Sequence, residues 1–127
     1  MVPHDRFPPP WPLDGSEMAH LIRAHDWAAT PLGPVREWPA HLRAVVDLML
    51  GSGTPMCLLW GHDAIMIYND AYARSIGQRH PAALGRSAHD AWADVREGWL
   101  PLFEQAWAGK EAVARGQQLR FARPDMP

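Results

Sequence analysis

The stretch from Thr54 to Asp70, T-P-M-C-L-L-W-G-H-D-A-I-M-I-Y-N-D, constrains this chain more than any other. It reads as two short apolar strands, Met56–Trp60 and Ala64–Tyr68, joined by the Gly61-His62-Asp63 turn. Asn69 and Asp70 then stop the second strand and cap a helix that begins at Ala71-Tyr72-Ala73. A hairpin leading straight into a capped helix buries one face only if other elements come to cover it, so the rest of the chain must supply the cover.

The segments before the hairpin meet that need. Asp14 is placed to cap a first helix, with Glu17 as its reciprocal partner, and Met18, Leu21, Ile22 and His25 share a face. Thr30-Pro31-Leu32-Gly33-Pro34 cannot continue that helix, which is expected to end near Asp26-Trp27. A second helix starts with Pro39 in its first turn, carries the stripe Leu42, Val45, Val46, Met49 and Leu50, and stops at Gly51 and Gly53. Downstream, Ala71–Ile76 is a short helix ended by Gly77, and Ser87 caps a further short segment with Asp90 at its third position. Trp99–Ala108 is a longer helix with Pro101 in its first turn and Gly109 at its end. Gln117, Leu119 and Phe121 alternate with Gln118, Arg120 and Ala122 in a strand pattern, with Gly116 available for a bulge.

The bulk numbers exclude several classes. A chain of 127 residues, 47% hydrophobic and 20% charged, suits one globular domain. Such a domain buries roughly two-thirds of its unfolded surface. With 12 basic and 14 acidic residues there is no phosphate-tracking surface, which argues against nucleic acid as a partner. No apolar run approaches the ~18 residues of a membrane span, and Pro8-Pro9-Pro10 stands where a signal peptide needs its apolar core. The single cysteine, Cys57, rules out an intrachain disulfide and fits a reducing compartment, so a cytoplasmic location is expected. Proline and tryptophan are abundant, at 13 and 7, and five of the prolines fall in the leader Pro3–Pro12. The expected organisation is a Pro-rich leader over 1–13, a helical extension over 14–53 and a core over 54–127.

The order of elements and several local motifs resemble a PAS domain. These are D-W-A-A-T-P-L-G-P at Asp26–Pro34, W-P-A-H-L-R at Trp38–Arg43, P-M-C-L-L-W-G at Pro55–Gly61, Y-N-D-A-Y at Tyr68–Tyr72, H-P-A-A-L-G-R at His80–Arg86 and the Asp90-Ala91-Trp92 that follows. They look like the lead-in and first half of a common class of bacterial PAS sensors. The resemblance implies an α+β fold: a PAS-like antiparallel sheet with short helices on one face, here preceded by an N-terminal helical extension. It also implies a sensory module, placed upstream of a histidine kinase or a cyclic-dinucleotide enzyme, that catalyses nothing itself. In the family two more strands follow the long one, and the last pairs with the first strand at the sheet centre. The sequence ends at Pro127 without them, so Met56–Trp60 is expected to lack a partner strand. A truncated chain, strands donated by another chain and a rearranged sheet are the three open answers; truncation combined with self-association is the favoured one, which makes a homodimer the expected state, through the amphipathic N-terminal helix or by exchanged strands.

Candidate sites are few. Tyr72, Trp92, Trp99, Phe103 and Trp107 are the aromatic residues that the resemblance would turn toward the sheet, where they would line a pocket for a small apolar or aromatic ligand. The competing reading is that they fill the core. Asn69 and Asp70 read as structural caps, and in the resembled family an asparagine here ties the second strand to the following helix. Cys57 lies in an apolar strand with no electropositive neighbour, so it reads as a structural thiol. The G-x-N-C-R-F-L-Q motif of light-sensing relatives is missing.

No metal set emerges: His20 and His25 fall on different helical faces, and no H-E-x-x-H or Cys/His cluster exists. Haem-binding relatives use a histidine of the longer helix; Trp99–Ala108 has none, and His89 is the nearest substitute. Gly51-Ser52-Gly53 lacks the context of a nucleophile elbow, and Gly109-Lys110 lacks that of a phosphate loop. The expectation is therefore a non-enzymatic module without a cofactor. A haem- or flavin-bearing sensor on the same fold is the first alternative, and a small enzyme of unrelated class is the second.

Overall fold

The structure, a computed structural model, describes residues 11–108. The described chain is α+β, with one two-stranded antiparallel sheet. Its elements are α1 (Glu17–Ala24), α2 (Ala40–Leu50), β1 (Cys57–Trp60), β2 (Ile65–Tyr68), α3 (Asp70–Ile76), α4 (Ala88–Ala91) and α5 (Arg96–Trp107), with single 3₁₀ turns between them. The chain divides into two units, the first ending at Ala88 and the second beginning at His89.

In the first unit the hairpin forms where the sequence places it, one residue shorter at the start of each strand. Cys57 stands opposite Tyr68 and Trp60 opposite Ile65. The connection is longer than the three residues expected. Ala64 belongs to the turn, with φ of 51°, rather than to β2. Gly61 takes φ of 74°, where an L side chain is strained, and its carbonyl accepts from the Ala64 N–H at 3.0 Å. Every residue of β2 is buried, whereas every residue of β1 is only partly so.

That asymmetry follows from what flanks the two strands. The far edge of β2 is covered by the segment leading to α4: Met66 N–H donates to Arg86 at 3.0 Å, Gly85 N–H to Met66 at 2.9 Å and Ala88 N–H to Ala64 at 2.8 Å. Ser87 forms an isolated antiparallel bridge with Ile65. Among the described residues no strand lies along the outer edge of β1.

Of the helices before the hairpin, α2 covers one face. α2 buries Leu42, Val46, Met49 and Leu50 and packs on β2. The His41 ring lies 5.4 Å from that of Trp60. Pro39 is the residue before the helix, so its missing N–H costs nothing. α1 is shorter than expected and begins at Glu17, because Ser16 is its cap: the Ser16 hydroxyl accepts from the Ala19 N–H at 3.1 Å. Asp14 instead holds the Ser16 N–H at 2.7 Å. Between α1 and α2, Trp27 and Trp38 are each 3% exposed and meet edge-on with ring centres 5.0 Å apart. Both indole N–H groups are satisfied by backbone carbonyls, Trp27 by Ile22 at 2.8 Å and Trp38 by Gly33 at 2.9 Å. Trp11 adds a third ring 5.6 Å from Trp38 and donates to Asp47 at 2.9 Å.

The second unit is helical over its described part. α5 starts three residues earlier than expected, at Arg96, so Pro101 lies inside it rather than in its first turn. Trp92 and Trp99 are buried, at 4% and 9% exposure, and the Trp99 indole N–H donates to the Trp92 carbonyl at 3.0 Å. The strand pattern around Gln117–Phe121 lies outside the described residues, as does most of the Pro-rich leader. Among the described residues the strands amount to one hairpin and one isolated bridge, fewer than the PAS-like sheet that the resemblance implies.

Candidate functional site

The end of β2 concentrates the polar chemistry of the first unit. Among the described residues Asn69 is the one buried polar side chain, with no exposed surface. Its side-chain amide donates to the carbonyls of Thr54 at 2.8 Å, Met49 at 3.0 Å and, more weakly, Ser52 at 3.3 Å. Its side-chain oxygen accepts from the N–H groups of Met56 at 3.1 Å and Tyr72 at 3.0 Å. One side chain therefore closes the carbonyl end of α2, the entry to β1 and the amide end of α3. An amide has two donor hydrogens and an acceptor oxygen, and this set of partners needs both. No charged side chain could replace it.

Asp70 works in another direction. It is the first residue of α3, and its carboxylate accepts from the Met18 N–H at 2.8 Å. Met18 is the second residue of α1, so Asp70 caps a helix that lies 52 positions away in sequence. Two adjacent side chains thus fasten both N-terminal helices to the hairpin.

On the face of the hairpin opposite α2, the side chains of Cys57, Tyr68, Tyr72 and His80 come together. The Tyr68 hydroxyl meets His80 Nδ1 at 2.9 Å. The Cys57 thiol, across the ladder from Tyr68, donates weakly to the Leu58 carbonyl at 3.7 Å and interacts electrostatically with Tyr72. The Tyr68 and Tyr72 rings lie with centres 5.3 Å apart. Tyr68 is buried, and Cys57, Tyr72 and His80 are partly so.

Burial pushes the thiol up to about 12, against the opposing pull of the Tyr72 hydroxyl. Burial likewise raises both phenols well above their ordinary value, helped in each case by the neighbouring Cys57. The backbone of Leu84 opposes the shift at Tyr68, and Arg79 opposes it at Tyr72. At neutral pH the thiol and both hydroxyls keep their protons. A protonated thiol is a poor nucleophile and a poor metal ligand, so Cys57, Tyr68 and Tyr72 offer neutral donors and acceptors beside aromatic surface. That chemistry suits recognition more than catalysis.

The five aromatic candidates divide between the units. Tyr72 belongs to the cluster just described. Trp92, Trp99, Phe103 and Trp107 belong to the second unit, where Trp99 and Phe103 have ring centres 6.0 Å apart and Phe103 stacks on Trp107 at 6.0 Å. Trp92 and Trp99 are buried, whereas Trp107 is 49% exposed. His89 sits in the same group, 5.3 Å from Trp99 and 5.9 Å from Phe103. Among the described residues no set of three or more His, Cys, Asp or Glu side chains is grouped to hold a metal ion. No helix among them is long and apolar enough to cross a membrane.

Sequence reasoning missed His80 and Tyr68 as site members, because their pairing depends on the path of the loop after α3. The one available signal was the period-two rule, which puts Cys57 and Tyr68 on one face once the register is known. Comparison with family models, with curated proteins and with solved structures returned no match.

Proposed function

We propose that this chain is a sensory module of the PAS type from a bacterial signalling protein, responding to a small neutral aromatic or apolar ligand at the Cys57–Tyr72–Tyr68–His80 face of the hairpin. The observation that carries the proposal is the Asn69-Asp70 pair. It joins the strand that bears Tyr68 to the start of α1, 52 positions away, through one hydrogen bond, and to the end of α2 through another. A shift of β2 or α3 on ligand binding therefore moves the N-terminal helices, which is the mechanical requirement of a sensor. The protonated thiol of Cys57 and the protonated phenols of Tyr68 and Tyr72 support binding over turnover, and the sequence motifs from Asp26 to Trp92 support the family reading. Output to a kinase or a cyclic-dinucleotide enzyme belongs to the same proposal, as does a cytoplasmic setting.

The test is a fragment titration followed by amide NMR, with phenol and indole as probes. The purified protein is expected to be colourless. The probes are expected to shift the Tyr68 and Tyr72 signals together with the Met18 amide, and Asp70→Ala is expected to uncouple the Met18 response while leaving the other two. Probes that bind without moving Met18 would sink the sensing mechanism. An absorption band of haem or flavin would replace the ligand with a bound chromophore.

A further inference from the structure

We infer that the groove between α1 and α2 is a binding site for a tryptophan-proline segment of a polypeptide, filled in this structure by the chain's own Trp11-Pro12 and open to the same dipeptide from a partner. The floor of the groove is fixed before anything binds. Trp27 and Trp38 are buried edge-on to each other, and a backbone carbonyl holds each indole N–H, so neither ring is free to turn. A rigid aromatic floor loses little freedom when a ligand arrives.

Three contacts seat the occupant. The Trp11 ring stands edge-on to Trp38, with centres 5.6 Å apart and planes at 77°. Its indole N–H donates to the Asp47 carboxylate at 2.9 Å, 36 positions away in sequence. The Pro12 side chain is fully buried, and the Arg23 guanidinium donates to the carbonyls of Pro12 and, at 3.2 Å, Asp14. An aromatic wall, a slot for a proline ring and a donor for main-chain carbonyls are the parts from which grooves for proline-containing peptides are built. Asp47 accepts at one end and Arg23 donates at the other, so a bound segment has one direction.

The contacts belong to the dipeptide and not to its covalent link with α1. Leu13, the next residue, is 70% exposed, and the Asp14 carboxylate reaches only to the nearby Ser16 N–H. The indole–carboxylate bond lies at an exposed position, where water competes for both partners. Trp11-Pro12 is therefore a strap that a like segment can displace. Asp47 belongs to α2 and Arg23 to α1, so whatever fills the groove ties the two helices together. The inference does not rest on the sensory reading, and either can fail alone.

The test uses the full 127-residue chain and an acetylated, amidated peptide of residues 10–14, followed by amide and indole NMR. The peptide is expected to bind Trp11→Ala with shifts at the Trp38 indole and the Asp47 amide. Affinity for the wild type is expected to be about tenfold weaker, because the tethered copy competes at an effective concentration of millimolar order. At saturation the wild-type Trp11 indole N–H is expected to move to the position of a free tryptophan, a readout that needs no substitution. A peptide carrying 1-methyltryptophan, which lacks the donor, is expected to bind about tenfold more weakly. A peptide that fails to bind Trp11→Ala would overturn the inference, as would a Trp11 signal unmoved at saturation. Equal affinity for the methylated peptide would do the same.

Discussion

Replacing Asn69 by alanine removes five hydrogen bonds from a side chain with no exposed surface. Four of them lie between 2.8 and 3.1 Å, and the contact to Ser52 at 3.3 Å shares a hydrogen with the others and is discounted. At about 1 kcal/mol net for each good bond, the expected loss is about 4 kcal/mol. A solitary N-cap would be worth only about 1 kcal/mol. For a domain stabilised by roughly 5–15 kcal/mol this is a large fraction, and it corresponds to a fall in Tm of about 15 °C. Urea unfolding followed in parallel by tryptophan fluorescence and far-ultraviolet circular dichroism measures it. Asn69→Asp separates the two readings. Aspartate caps α3 as well as asparagine does, but it presents an oxygen instead of a donor to the carbonyls of Met49 and Thr54. The junction predicts that Asp is at least as damaging as Ala at neutral pH. A loss near 1 kcal/mol for Ala, or near-native stability for Asp, would refute the reasoning and reduce Asn69 to a local cap.

The titrations of two other groups give predictions with opposite pH signs. Cys57, held at about 12 against an ordinary 9.0, should react with iodoacetamide at pH ~8 about a thousandfold more slowly than in the urea-unfolded chain. Because the folded thiol holds its proton more tightly than the unfolded one, stability is full below pH 9.0 and falls as pH rises toward 12. The buried phenols join only above their ordinary value of 10.0, so Cys57→Ala should delay the onset of alkaline loss, as urea midpoints across that range would show. His25 lies at the other end of the scale: burial holds its imidazole below the ordinary 6.5, against the pull of Asp26. Its unfolded form binds a proton that the folded form resists, so stability falls as pH drops below 6.5. The slope should be well under the ~1.4 kcal/mol per pH unit of a complete one-proton difference, and His25→Gln should remove it. Gly85 bears on the same contact. Its φ is +79°, and a Cβ there would fall inside the His25 ring, so Gly85→Ala should lower the urea midpoint by more than backbone strain alone.

Local chemistry made the hairpin legible. Two apolar runs of the right length, a glycine between them and an Asn-Asp stop dictate strand, turn, strand and capped helix with little help from the rest of the chain. The helix stripes of Met18 and Ile22 and of Leu42, Val46, Met49 and Leu50 were legible for the same reason, since a helical period fixes which residues share a face. Boundaries were less so. Ser16 outcompeted Asp14 as the cap of α1, and Pro101 was carried inside α5, because such choices turn on a few tenths of a kcal/mol that neighbours supply. The aromatic candidates came without a placement: periodicity puts Trp99 and Phe103 side by side but says nothing of which unit holds Tyr72.

The sequence by itself determined the secondary elements and the identity of the joint between them. Asn69 and Asp70 announce themselves as a helix start, because a short polar side chain beside free N–H groups is a local arrangement. Only tertiary structure decided what else they hold. The amide of Asn69 reaches Met49 across 20 positions and the carboxylate of Asp70 reaches Met18 across 52, so both roles exist only once α1 and α2 have folded back. The Tyr68–His80 pair and the cover of β2 by the Gly85–Ala88 segment are of the same kind. Which backbone groups a strand leaves open follows from its register, but whether anything covers them depends on the whole path of the chain.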